Sequence, residues 1–247
     1  MLQLIAYFDN QKMWYDLLTA RLTDDSPEWL QATLEDQPYF EGATAVLVDY
    51  CFPEVQHASQ SYSMHSCVHD WTLGELNATM SSELYWYAFD CVAKDIEDDD
   101  WYLFSHVKYS HMSQHARRLA YSRFEAYDKL AMGIAGREYK IMGVAQMLKE
   151  QVQLVAAVRM FIRALAGYEA APGLDHTSTL STVNKLGNLY RDQGKLEQAE
   201  QMYQRALTGY EAALGSDHTR TLSIVNKLGN LYKYQDKVAE LARLVAT

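Results

Sequence analysis

The sequence predicts a mostly α fold. An N-terminal domain of short helices with one small β-hairpin spans residues 1–90, a helical connector spans 91–136, and stacked helical hairpins fill 137–247. Three observations carry this expectation. Only four prolines and twelve glycines interrupt 247 residues, too few for the many turns of an all-β fold. Apolar residues recur at the three- and four-residue spacing of amphipathic helices. A long segment repeats itself near the C-terminus, the mark of stacked supersecondary units.

The opening reads as helices over Leu2–Phe8, Trp14–Leu22, Trp29–Leu34 and Tyr39–Tyr50, with Ser26-Pro27-Glu28 as the cap of the third. Two short alternating runs follow, Val55-Gln56-His57-Ala58 and Ser61-Tyr62-Ser63-Met64, around Ala58-Ser59-Gln60, and predict the hairpin. Helices followed by a two-stranded wing make the N-terminal domain winged-helix-like. A DNA-reading winged helix carries cations on the helix before the wing. Here Phe40–Cys51 carries Glu41 and Asp49 and no basic residue, so nucleic acid is excluded as a partner. The connector holds His106, His111 and His115 beside Arg117 and Arg118, read as the solvated face of an amphipathic helix. The run Glu97-Asp98-Asp99-Asp100 lacks the alternating ligands and bend glycine of an EF-hand and reads as a helix terminus.

The segment from Met160 and the segment from Met202 are identical at roughly 26 of 42 positions. Within a unit, Leu180, Val183, Leu186 and Leu189 define one amphipathic helix, and Leu196, Ala199, Tyr203, Ala206 and Tyr210 a second. Gly194 supplies the reversal between them, and Asp175 and Asp217 are placed to cap the first helix of each unit. Gly187, Ala199 and Ala206 predict close approach of the two helices, with Tyr190 and Tyr203 filling between layers. A degraded earlier unit shows in Lys149-Glu150-Gln151, Leu154, Ala157 and Met160, one period before Arg191-Asp192-Gln193, Leu196, Ala199 and Met202. Nearly three units result. The last stops about ten residues into its second helix, which predicts an uncapped end, apolar surface at Val238, Leu241, Leu244 and Val245, and self-association.

Two resemblances follow. Residues 148–243, with the phrases LGNLYRDQGKLEQAEQMYQRAL and GSDHTRTL, resemble the tetratricopeptide repeats of kinesin light chain. In such arrays the first helices line a concave groove that holds an extended peptide. The resemblance places Asn184 and Asn226 in that groove. Asn188 and Asn230, four residues on, share their surface, and Lys185 and Lys227 border it and favour an acidic ligand. Met64-His65-Ser66 resembles the MHD element at the wing-to-helix junction of NB-ARC signalling ATPases, and Leu2–Phe8 resembles the start of their winged-helix domain. The order of parts is similar to that of fungal NLR-like members ending in tetratricopeptide repeats. By that resemblance His65 is a remnant of a nucleotide contact. The third motif position is Ser66 in place of the usual Asp, and the chain has no GxxxxGK[ST] loop to cradle phosphate.

Composition narrows the partners further. The formal net charge is −10, and residues 1–60 hold only Lys12 and Arg21 as lysine or arginine, which disfavours nucleic acid and anionic lipid. No apolar run approaches the ~20 residues of a membrane span, and the start lacks a secretory signal pattern, so a cytoplasmic location is expected. Cys51, Cys67 and Cys91 are odd in number and lack CxxC spacing, as expected of free or buried thiols. His65 and His69 lie four apart around Cys67, but no HExxH or third ligand accompanies them, so no metal and no cofactor is assigned. No nucleophile elbow or paired carboxylate suggests an enzyme. The expectation is a protein-protein interaction module of an NLR-like sensor. The alternative is a free-standing kinesin-light-chain-like cargo or scaffold adaptor.

Overall fold

A computed structural model describes residues 1–24, 26–50, 53–56, 60–77, 81–94, 106–121 and 134–235. The protein is mostly helical and divides into two compact units, Met1–Gly133 and Ile134–Thr247.

In the first unit, α1 (Leu2–Ile5) leads to β1 (Met13–Trp14), followed by α2 (Tyr15–Thr19), α3 (Glu28–Leu34), α4 (Gln37–Asp49), β2 (Pro53–Gln56) and β3 (Ser61–Met64). The strands form an antiparallel sheet in the order β1-β3-β2, with Met13 opposite Tyr62 and Val55 opposite the same tyrosine on the other side. The hairpin expected from the sequence is therefore the outer part of a three-stranded sheet. Met13 and Trp14 form a strand where a helix was expected to begin, because two residues are too few to show alternation. Lys12 turns the chain into β1 with φ 54°. The helix expected at Leu2–Phe8 ends at Ile5, and Tyr7 and Phe8 continue it only as turns. Ser26 does not cap α3: its Oγ accepts the Thr23 N–H at 3.0 Å, and Pro27 occupies the N-cap.

Next come α5 (Ser66–Trp71), a π-helical turn (Thr72–Leu76), α6 (Ser82–Ala93) and α7 (His106–Tyr121). The expected boundary at residue 90 falls inside α6, which packs on α1, α2 and α7. Tyr7 meets Tyr85 edge to face, its ring 6.1 Å away, and its hydroxyl donates to the Ser81 carbonyl and accepts the Ser81 N–H. Ser81 in turn caps α6 by accepting the Leu84 N–H. The Tyr85 hydroxyl donates to the Leu119 carbonyl, joining α6 to α7. The acidic run at 97–100, the Ala58-Ser59 turn and Cys51 lie outside the described residues. Cys67 is exposed and Cys91 buried, both as free thiols.

His115 does not lie on a solvated face. His115 is 1% exposed, and its Nδ1 accepts the Asp9 N–H at 3.0 Å. Its ring stands edge-on to Phe8 and Trp14. His111 Nε2 lies 2.7 Å from Lys12 Nζ. The His106 side chain lies outside the described residues. Burial pushes the His115 imidazole down to about 4, against the weaker upward pull of Asp9.

The second unit is a run of helices: α8 (Glu138–Glu150), α9 (Leu154–Ala170), α10 (Thr177–Asp192), α11 (Leu196–Leu214) and α12 (Thr219–Tyr234). They pair as α8 with α9 and α10 with α11, and α12 packs on α11. Ala199, Tyr203 and Ala206 of α11 are fully buried, as are Leu186 and Leu189 of α10. A Cβ on Gly187 would stand 2.7 Å from the Tyr203 ring, so only glycine admits the tyrosine. Tyr190 is half-buried.

The caps differ from the expected aspartates. His176 and His218 hold the N-cap positions, and each Nδ1 accepts the N–H two residues on, from Ser178 at 3.2 Å and Arg220 at 3.1 Å. Asp175 and Asp217 lie one residue too early and are exposed. The reversal after α10 uses Gly194 at φ 73°, with the Lys195 N–H returning to the Tyr190 carbonyl. One period earlier the same role falls to Val152, a β-branched residue held at φ 59° and 78% exposed.

Two predictions follow from these local features. Val152→Gly relieves the left-handed strain at an exposed position, worth about 1–3 kcal/mol, against an entropic cost of about 0.5–1 kcal/mol. Urea unfolding should show a net gain near 1 kcal/mol, and a loss would contradict the strain. A histidine with a folded pKa below its unfolded value of about 6.5 binds fewer protons when folded, so its stability contribution is lost as pH falls from 6.5 towards 4. For His115 that loss is about 3 kcal/mol. The pH dependence of unfolding should flatten by this order in His115→Gln, and an unchanged slope would contradict the assignment.

Candidate partner-binding face

The first helices of the two later units, α10 and α12, carry the expected binding residues. Asn184 and Lys185 lie half-buried on α10, with Asn188 one turn on. Asn226 and Asn230 are exposed on α12, and Lys227 between them is half-buried.

The structure gives these residues different employment. Lys227 Nζ donates to Asn184 Oδ1 at 2.7 Å, tying the third unit's first helix to the second's. The Tyr203 hydroxyl donates to Asn188 Oδ1 at 2.8 Å, so Asn188 orients the tyrosine that fills the hairpin. Lys227 Nζ also stands 5.9 Å from the centre of the Tyr203 ring. The Asn226 and Asn230 amides are the more open pair.

The lysines converge. Burial, then the neighbouring Lys149 charge, holds Lys185 below the ordinary lysine value. Burial also lowers Lys227, followed by Arg191 and Lys149. Lys149 of α8, Lys185 and Arg191 of α10, and Lys227 of α12 therefore share one electrostatic neighbourhood across three first helices. Arg191 is paired with Asp192, its NH2 group 2.8 Å from the carboxylate. Lys149 was missed as a site residue from sequence, although its place one period before Arg191 is the signal that identifies it.

His65 is exposed and caps α5, its Nδ1 accepting the Cys67 N–H at 3.3 Å. It does not join His69 in a shared site. His69 is buried: its Nε2 donates to the Phe8 carbonyl at 2.9 Å, and its Nδ1 accepts from Arg118 at 3.3 Å. Among the described residues no group of three or more His, Cys, Asp or Glu could hold a metal ion, and no helix is long and apolar enough to cross a membrane.

The family model for the tetratricopeptide repeat matches residues 139–212 and 179–240, two overlapping windows that together run from α8 through α12. The helical hairpins of the second unit are thus tetratricopeptide repeats. A search of the curated proteins finds no match to the chain.

Proposed function

We propose that the repeats bind an acidic, extended segment of a partner protein along the first helices. Tetratricopeptide repeats suggest a protein-protein interaction module, and the convergence of Lys149, Lys185 and Lys227 carries the acidic specificity. Burial and then neighbouring positive charge lower Lys185 and Lys227, and a carboxylate-bearing ligand offsets both. Asn226 and Asn230 supply donors and acceptors for a peptide backbone beside them. Asn184 is reached by displacing its bond from Lys227.

The first unit supports the NLR-like reading over a free-standing adaptor of the kinesin-light-chain kind. We read its order of helix, strand, three helices and two strands, with the first strand beside the last, as a winged helix. His65 then stands at the wing-to-helix junction, as the resemblance to the MHD element implies. Its exposed position and its capping bond leave it a minor contributor to any phosphate contact. A cytoplasmic setting and self-association through the last repeat belong to the same reading. Leu222 and Tyr234 of the last described helix are 47% and 80% exposed, which supports self-association. Val238, Leu241, Leu244 and Val245 lie outside the described residues.

Selection of peptides by display on the whole chain should enrich aspartate and glutamate. The selected peptide should lose at least roughly tenfold in affinity, about 1.4 kcal/mol, in a Lys185→Ala/Lys227→Ala double variant. Asn226→Ala should cost about 1 kcal/mol more. Enrichment of basic or purely apolar peptides, or unchanged affinity in these variants, would remove the ligand from the first helices.

A further inference from the structure

The first unit carries an open groove of about 1140 Å³ between α4 and the sheet, larger than the roughly 300–1,000 Å³ of small-ligand clefts. Its walls are aromatic. Trp14, Tyr15, Phe40 and Tyr62 line it, with Tyr15 tilted on Phe40 at 5.2 Å and Phe40 edge-on to Tyr62 at 5.5 Å between ring centres. Its rim is acidic: Asp16, Glu41, Asp49 and Glu54 are exposed, and among the described residues no lysine, arginine or histidine lines the groove. Glu41 accepts a bond from Gln37. Among the described residues none of these four carboxylates pairs with a lysine or arginine.

The helix forming one wall is apolar and poorly covered. Of the thirteen residues of α4 only Phe40 and Thr44 are buried, and on its groove side Ala45 is exposed and Val48 half-buried. Aromatic rings flanked by exposed apolar side chains mark a contact surface. The unpaired carboxylates decide the sign of what fits. Arginine and lysine bind carboxylates and stack on aromatic faces, and their alkyl stems cover apolar surface.

We propose that this groove docks a short basic segment of a partner protein, with arginine or lysine side chains alternating with apolar ones. The cationic side chains lie over Trp14, Tyr15 and Tyr62 and reach the Asp16, Glu41, Asp49 and Glu54 carboxylates. The apolar residues cover Ala45, Val48 and Val55. The same face of a second copy is a poor occupant, since residues 1–60 hold only Lys12 and Arg21 as lysine or arginine. Nucleic acid and anionic membrane are repelled by the same rim. The inference is independent of the repeats, whose cationic face selects the opposite charge.

The test is fluorescence anisotropy of the full chain with a short fluorescein-labelled peptide alternating arginine and valine. Binding should occur at micromolar concentrations and weaken as salt is added. Asp49→Lys/Glu54→Lys should weaken it at least roughly tenfold, and the milder Asp49→Asn/Glu54→Gln should weaken it in the same direction. Both positions are exposed, so circular dichroism should be unchanged. Lys185→Ala/Lys227→Ala should leave this affinity intact, which separates the groove from the repeats. No binding by the parent chain, or equal affinity in both groove variants, would overturn the proposal.

Discussion

The second unit depends on one contact, the Tyr203 ring seated on Gly187. A helical hairpin of this length has little surface to bury by itself, and its stability comes from how closely the two helices approach. With no Cβ at position 187, the ring lies against the backbone of α10, and its hydroxyl ends on Asn188 one residue further along. The large side chain and the glycine are complementary, and overpacking such a site costs about 1–3 kcal/mol. The contact also sets function. It fixes the rotation of α10 about its axis, which presents Asn184 and Lys185 together and brings Lys227 within reach of both Asn184 and the tyrosine ring.

Consequences pass from layer to layer through similar ties. Arg205 of α11 meets Glu169 of α9 at 2.5 Å, and Gln204 donates to the Tyr232 hydroxyl of α12 at 3.1 Å. Thr179 and Thr221, one period apart, each donate to the carbonyl of the glycine six residues before, at 2.6 and 2.8 Å. Repetition of these small contacts holds successive first helices in a common orientation, so that the lysines of three units accumulate on one face. The first unit works by a different device, in which buried histidines join distant segments. His69 holds the carbonyl after α1, and His115 holds the amide of the next residue, Asp9, so α5 and α7 both fasten the same turn.

Much of the second unit was legible because a repeat writes each structural requirement twice. Gly187, Ala199, Ala206 and Tyr203 stand at helical spacing, and the structure buries them as expected. The caps were misassigned because a carboxylate is the commoner N-cap, whereas His176 and His218 reach the same N–H groups through Nδ1. The first unit was legible only in outline. β1 is too short to show a period, and the burial of His115 depends on Asp9, 106 residues away, which no local pattern encodes. In the candidate site the sequence placed the right residue types on the first helices. It did not show that Asn184 and Asn188 already serve Lys227 and Tyr203, since both bonds arise only once helices are packed.

The most direct measurement is an amide-resolved nitrogen-15 NMR titration of the full chain with a short oligoglutamate peptide. The account predicts the largest shift changes along the first helices, over Asn184–Arg191 and Asn226–Lys233, with Lys149 responding alongside. Changes confined to the second helices, 154–170 and 196–214, or to the first unit, would contradict it.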